Sequence, residues 1–380
     1  MINKFSVPAK YNLEYIEKID YLNNLYENKV TELYGSNIDC PVGSIRPSNT
    51  LENVSKDKFK EFVRYANKKN IKFNYIMNST VLDGSEYTSK GIKDILKYVE
   101  FLENCGVSNL SITIPYLIKL INKHFPKLNI TASICANINS IKQADDFKNM
   151  GATTIVPEKD TNRDFGLLKL LSDKKGYSIK LLCTTPCIYK CSDLNYHMNL
   201  SSTLDNKIRK GLKIADNFIS HTVNCQAVRL RNLEEYIKSP FIRPEDLKIY
   251  QNIGINSFKL DGRDKPDEYN LEVMEAYLKE SFDGNLLYLM QNYYPKNFQE
   301  FSDLKNTRKI EKLGVYIDNK KLNNFLTPFV EKKMCEKGCD LCLYCKKWSD
   351  EIVKIDKKNV DNYLVILENH IKSTMYTSGE

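Results

Sequence analysis

Short apolar runs rich in β-branched and aromatic residues recur along the first 260 residues, and longer amphipathic stretches separate them. Such runs, bounded by turn residues, read as strands. Strands are expected at about 4–8, 30–35, 71–77, 109–114, 130–135, 153–157, 178–184 and 256–261, eight in all. Most of the intervening stretches place apolar residues on one helix face. Leu13, Ile16, Ile19, Tyr21 and Leu25 form one such face, and Ile92, Ile95, Leu96, Val99 and Leu102 another. Gly106, Gly151 and Gly254 each stand a few residues before a strand, where the left-handed residue that ends a helix belongs. Eight strands alternating with helices predict a closed parallel (β/α)8 barrel of the TIM type. A doubly wound open sheet is the alternative, because periodicity alone does not close a barrel.

Two regions break the repeat. The connection between the seventh and eighth strands runs from about 185 to 255, and connections of that length usually carry function or their own elements. The tail from about 266 is helical, then cysteine-rich, then helical again. The expected division is a barrel over 1–290, with a rim insertion at about 185–255, and a C-terminal extension over 291–380. With 42% apolar and 27% charged residues the chain has the balance of a globular protein, which excludes a disordered one. The net charge of +8 suits an anionic ligand and leaves nucleic acid open as a partner without requiring it.

Eleven cysteines change the picture. No charged and apolar leader opens the sequence, and no 18-residue apolar run occurs. A cytoplasmic location without a membrane span is therefore expected. In a reducing compartment clustered cysteines read as metal or redox sites rather than disulfides. Cys183, Cys187 and Cys191 lie at and beyond the end of the seventh strand, Cys225 follows in the same connection, and Cys40 follows the second strand. In a barrel all of these fall on the C-terminal face. Thiolates suit Fe–S clusters or zinc. The favoured ligand set is Cys187, Cys191, Cys225 and Cys40, with Cys183 as the substitute for Cys40. Cys105 and Cys135 stand alone and read as small buried hydrophobes.

The densest signal is Cys335, Cys339, Cys342 and Cys345, four thiols within eleven residues. The spacing is tighter than the usual two-knuckle zinc pattern and resembles ferredoxin-type runs. A second 4Fe-4S cluster is expected here, with structural zinc as the alternative.

Arginine is scarce, nine against 47 lysines, and most of the nine fall after expected strands or in the long connection. Arg46, Arg163 and Arg263 are candidates to grip an anionic substrate, since the guanidinium fork suits carboxylate and phosphate. Asn78 and Asn137 close two strands and are candidate orienting residues. His197, Glu158 and Asp261 are candidate acids or bases by position. No Gly-rich phosphate loop, serine-hydrolase elbow or His-Glu-x-x-His occurs.

These residues also carry a resemblance. Phe5-Ser-Val-Pro8, Glu32-Leu-Tyr-Gly35, Asn137-Ile-Asn139-Ser140, Asn162-Arg163-Asp164, the Cys187-x3-Cys191 loop, Ser239-Pro240-x2-Arg243-Pro244-Glu245-Asp246-Leu247 and Phe258-Lys259-x2-Gly262-Arg263 resemble the collagenase-like peptidase (U-type) family over roughly residues 1–290. The resemblance implies a barrel with a 4Fe-4S cluster on cysteines. It also implies an oxygen-independent hydroxylase-like activity on an anionic small molecule, peptide or RNA substrate. A peptidase, or a non-catalytic Fe–S subunit paired with an unlike family partner, are the alternatives it carries. One subunit type in such pairs has an early cysteine and a later C-x3-C pair, which Cys40, Cys187 and Cys191 match. The longer glutamate- and glycine-rich signature of the RNA-acting and peptidase-type members is not found, and the Cys335–Cys345 run lies outside the shared pattern.

Overall fold

A computed structural model of the chain describes residues 1–46, 51–205, 215–290, 313–332 and 334–376. Pro47 and Ser48, which follow Arg46, lie outside the described residues, as does the start of the expected extension.

The strands are β1 (Lys4–Pro8), β2 (Lys29–Gly35), β3 (Lys72–Met77), β4 (Asn109–Ile112), β5 (Asn129–Ala132), β6 (Ala152–Ile155), β7 (Ser178–Ile179), β8 (Leu181–Leu182) and β9 (Ser257–Lys259). All pair in parallel, in the order β7-β6-β5-β4-β3-β2-β1-β9-β8. β7 and β8 are two halves of one extended stretch divided at Lys180, so the sheet closes on itself. The Lys180 N–H donates to the Ile155 carbonyl at 3.0 Å, and the Cys183 N–H to the Lys259 carbonyl at 2.9 Å. The stagger of a barrel accounts for the split: the first half of the stretch faces one neighbour and the second half the other. The result is a TIM-type α/β barrel.

Helices α1 (Leu13–Leu25), α2 (Lys56–Lys68), α3 (Ser89–Cys105), α4 (Pro115–His124), α5 (Ile141–Met150) and α6 (Phe165–Ser172) follow β1 to β6. Side chains of Asn12, Ser55, Thr88, Ser140 and Asp164 accept the free N–H groups that begin five of them. Gly106 and Gly151 end α3 and α5 in the left-handed region, as expected. At Gly151 an added Cβ would stand 2.4 Å from Asn122 Cγ, so close packing also demands glycine. The face of α1 differs from expectation. Tyr15, Ile16, Ile19 and Leu22 are buried, whereas Tyr21 and Leu25 are exposed. At about 100° per residue Leu25 projects opposite Ile16, so the pattern belongs to the residue set beginning at Tyr15.

The long connection carries α7 (Leu194–Asp205), α8 (Ala215–Arg231), α9 (Glu234–Lys238) and α10 (Leu247–Asn252), and α11 (Asp267–Leu278) follows β9. In the C-terminal segment β10 (Val315–Ile317) pairs antiparallel with β11 (Val353–Ile355). A final helix, Lys357–Tyr376, lies along α8, where Arg231 pairs with Glu368 at 2.7 Å. Arg243 ties this segment to the barrel: it is 1% exposed, grips Asp246 at 2.7 and 2.8 Å, and donates to the Asn319 carbonyl. No helix among the described residues is long and apolar enough to cross a membrane.

Candidate functional site

The C-terminal mouth of the barrel gathers Arg46, Asn78, Asp261 and Arg263. Asp261 accepts from Arg46 Nη2 at 3.1 Å and from the Tyr34 hydroxyl at 3.2 Å, and its own N–H donates to Thr184 Oγ1 at 2.8 Å. Arg263 Nη1 donates to Ser36 Oγ at 3.1 Å. Asn78 Nδ2 donates to Ser133 Oγ at 3.2 Å and reaches Cys135 Sγ at 3.5 Å. Cys135 therefore belongs to the mouth wall rather than to anonymous core. Lys259, the last residue of β9, lies over the Tyr34 ring with its amine 3.8 Å from the centroid. Burial first, then the Arg263 charge, pushes its amine down to about 8.

Below the mouth, Glu32 and Lys180 form an ion pair inside the barrel. Ser6, Asn74 and Asn109 also donate to Glu32. Ser6, Glu32, Asn74 and Lys180 line a cavity of about 30 Å³, room for one or two waters.

His197 stands at the start of α7, stacked on His221 with ring centroids 5.7 Å apart. Burial, His221 and Arg46 together lower its pKa to about 4, so it is neutral at neutral pH. Glu158 follows β6; burial, and then the Asp160 carboxylate beside it, raise its pKa to about 7. Asn137 has φ 50 and its Nδ2 donates to Asn195 Oδ1, which ties α7 to the mouth, while its Oδ1 is buried without a donor among the described residues.

Arg163 is a correction. It is 6% exposed, donates to the carbonyls of Lys238 and Ser239, and lies 5.0–5.6 Å from the rings of Phe241, Phe325 and Phe329. Its guanidinium joins the long connection to the C-terminal segment and does not reach the mouth as a substrate grip.

The rim loop is held by its backbone. Ser239 Oγ donates to the Cys187 carbonyl at 2.8 Å, Lys159 Nζ to the Ile188 carbonyl at 3.1 Å, and the Lys190 N–H to Asp160 at 2.9 Å. Cys187, Cys191 and Cys225 share one electrostatic neighbourhood. Burial raises the Cys187 thiol to about 11; Cys225 and Cys191 add to this, and Lys159 and Arg229 oppose it. Arg229 is 2% exposed, and its Nε and Nη1 have no acceptor among the described residues.

The other two rim cysteines lie elsewhere. Cys40 lines a separate cavity of about 380 Å³ with Lys56, Lys97, Tyr98 and Phe101, between α2 and α3. Cys183 is fully buried, its thiol pushed well up by burial and coupled to Tyr250 of α10 and Tyr277 of α11. It faces outward from the barrel, because the alternation of a strand turns neighbouring side chains to opposite faces. The ligand set with Cys40, and its substitute with Cys183, are thus not brought together. Cys105 is a core thiol of α3, as expected.

Cys335, Cys339, Cys342 and Cys345 lie on two short helical turns and the first turn of helix Tyr344–Ile352. Burial raises the Cys345 thiol to about 11, opposed by Arg163 and reinforced by the other three thiols. The Cys335 and Cys339 thiols lie near enough to Tyr189, inside the rim loop, to help burial raise its hydroxyl, so the two cysteine groups adjoin. Arg163 Nε, like two nitrogens of Arg229, is buried without an acceptor. Among the described residues no three His, Cys, Asp or Glu side chains converge tightly enough to hold a metal ion. The donors fit a thiolate-bound centre in kind, and the orphaned arginine N–H groups fit its negative charge. The thiols would have to turn toward one another to close around it.

Lys259, Arg229 and Cys135 carry more of this arrangement than the sequence suggested. A lysine ending a barrel strand two residues before Asp261 was the available signal for the first. Nothing in the spacing marks the other two.

Residues 18–164 match the sequence profile described as Peptidase family U32. An uncharacterized protease of Methanocaldococcus jannaschii is 28% identical over 342 residues, covering 90% of this chain and 94% of that protein. A solved structure of a U32 peptidase is 12% identical, covers 56% of this chain and 83% of its own, and superposes with a TM-score of 0.44. The chain is thus similar to peptidase family U32 over residues 18–164 and, along nearly its whole length, to a relative named as a protease.

Proposed function

We propose that this protein is an iron–sulfur redox enzyme acting on an anionic small molecule or peptide in the barrel mouth. The observation that carries the reading is Arg229: a buried guanidinium with two acceptor-less nitrogens, set among Cys187, Cys191 and Cys225. Buried donors are nearly always satisfied, and a thiolate-bound cluster is an anion. Those three cysteines would hold it, and Lys159 would add positive charge. When bound, a 4Fe-4S cluster supplies one-electron chemistry. Arg46 and Arg263 would orient the anionic group, and Asp261 would keep Arg46 in place. His197, being neutral, would offer a hydrogen bond, and Glu158 would exchange a proton near neutral pH. The hydroxylase-like reaction is the class that the family resemblance implies. Cys335, Cys339, Cys342 and Cys345, beside the orphaned Nε of Arg163, would hold a second cluster or zinc.

The test is anaerobic purification with iron, acid-labile sulfide and zinc analysis and electron paramagnetic resonance. A brown protein is expected, with Cys187→Ser and Cys225→Ser each removing one cluster's worth of iron while the barrel stays folded. A colourless protein with stoichiometric zinc, or unchanged iron in both variants, overturns the reading.

Similarity to peptidase family U32 favours a second reading, a peptidase. The thiols at Cys135, Cys187 and Cys225 are all shifted toward the protonated form by burial, which disfavours a thiolate nucleophile. Peptide hydrolysis that survives Cys187→Ser and loss of iron would establish this second reading.

A further inference from the structure

Lys259 is an odd lysine. Its amine closes the barrel cavity from above, over the Tyr34 ring. Among the described residues it has no hydrogen-bond acceptor and no ion-pair partner. The carboxylates that face it are already engaged: Glu32 by Lys180, Ser6, Asn74 and Asn109, and Asp261 by Arg46 and Tyr34. A partly buried ammonium without an acceptor is costly, and the neutral amine relieves that cost. The charged groups around it divide. Arg263, on the loop after β9, and Lys180, from the β7–β8 stretch, disfavour the ammonium; Asp261 and Glu32 favour it; the Cys135 thiol faces it from beyond β5. Burial is the largest influence, and the net result is an amine near 8.

We propose that Lys259 is a nucleophilic amine that captures a small carbonyl compound bearing a carboxylate, such as a 2-oxo acid, as an imine. The neutral nitrogen attacks the carbonyl carbon, and the C–O π bond opens onto oxygen, which takes up a proton. The resulting hydroxyl leaves as water with a second proton, and nitrogen gives up both of its own. The products are one C=N bond and one water, with no change in oxidation state. Arg263 and Arg46, with guanidinium groups at the same mouth, supply the site for the carboxylate. This goes beyond the iron–sulfur reading, and imine formation needs no iron.

Glyoxylate with sodium cyanoborohydride at pH 7, on the full chain, tests it. Reduction fixes the imine as a secondary amine, which peptide mass spectrometry locates. An amine of pKa 8 has a neutral fraction on the order of 200-fold above that of an ordinary lysine. Allowing for restricted access, labelling at Lys259 is expected at least tenfold faster than at surface lysines. Pyruvate should label the same residue, neutral acetaldehyde should lose the preference, and Arg263→Gln should slow glyoxylate and pyruvate but not acetaldehyde. Lys259→Arg keeps the charge and should abolish the adduct with an unchanged circular dichroism spectrum. Should that variant misfold, the position of the adduct in the unaltered chain still decides. Labels scattered over surface lysines, or none at Lys259, overturn the proposal.

Discussion

Glu32→Gln probes the polar interior that supports the mouth. The Glu32 carboxylate is 6% exposed and Lys180 is 8% exposed. Glutamine keeps the volume and its one oxygen can still accept from Ser6 and Asn74, but its NH2 meets the Asn109 donor and it leaves the Lys180 ammonium in the barrel without a countercharge. Removing one partner of a buried pair costs about 3–5 kcal/mol. A chain of 380 residues unfolds with an entropy of roughly 0.8 kcal/mol per degree, so the melting temperature should fall by about 4–6 °C. Lys180→Met on top of Glu32→Gln removes the stranded charge and should recover at least half of the loss. Acid should act in the same direction. Burial alone would raise the Glu32 carboxyl, but Lys180, Ser6 and Asn109 outweigh it and the net shift is downward. An unfolded glutamate titrates near 4.3, so the ionised carboxylate contributes fully above that pH and loses its contribution as pH falls through the lower folded value. Differential scanning calorimetry of the three proteins between pH 7 and pH 3 measures this. A Glu32→Gln melting point within 1 °C of the parent at pH 7, or a double variant that recovers less than half of the loss, would refute the reasoning.

Arg163→Met should lower stability by about 3 kcal/mol, since two charged bonds to buried carbonyls and the stacking on three phenylalanines go together. Limited proteolysis should then cut within the C-terminal segment before the barrel. Arg229→Gln should reduce iron content in anaerobically purified protein while leaving its melting temperature within a few degrees; undiminished iron would count against an anion at that guanidinium. Glu158→Gln should become relatively more stable as pH rises from 5 to 8. The folded carboxyl of the parent is raised to about 7, so its contribution is full below the unfolded value and lost as pH climbs through 7, whereas glutamine does not titrate. Thermal melts across that range follow it.

The barrel was legible because period and punctuation agree. Each of the eight expected runs overlaps an observed strand, and Gly106 and Gly151 end helices where expected. What periodicity could not convey was the outward or inward aim of a residue at a strand end. Lys259 pairs in register with Leu182 and Cys183 stands one residue further on, so the thiol packs among the outer helices while the amine turns into the barrel. A shift of one residue in a strand reverses the face. Arg163 illustrates a second limit. Its place after β6 suggested a substrate grip, but Phe325 and Phe329, some 160 residues away in sequence, enclose it. Sequence spacing holds no trace of such long-range packing. Cys40 fails for a related reason: being on the C-terminal face does not fix which side of the helical layer a loop residue takes.

The long connection does more than carry thiols. Thr80, beyond β3, donates to Asn199, and its N–H donates to Ser202; Asn137, beyond β5, holds Asn195. These contacts seat α7 across the mouth and bring His197 within electrostatic reach of Arg46. The same connection continues through α8 to Cys225 and Arg229, and its first turn carries Cys187 and Cys191. Candidate substrate-facing groups and candidate ligands are therefore consecutive parts of one insertion, anchored to strand ends by short polar side chains. Contacts of that kind are individually weak, about 1 kcal/mol each. Loss of Asn137 or Thr80 should loosen the thiol-bearing connection and the mouth together, because the chain offers no route by which one moves without the other.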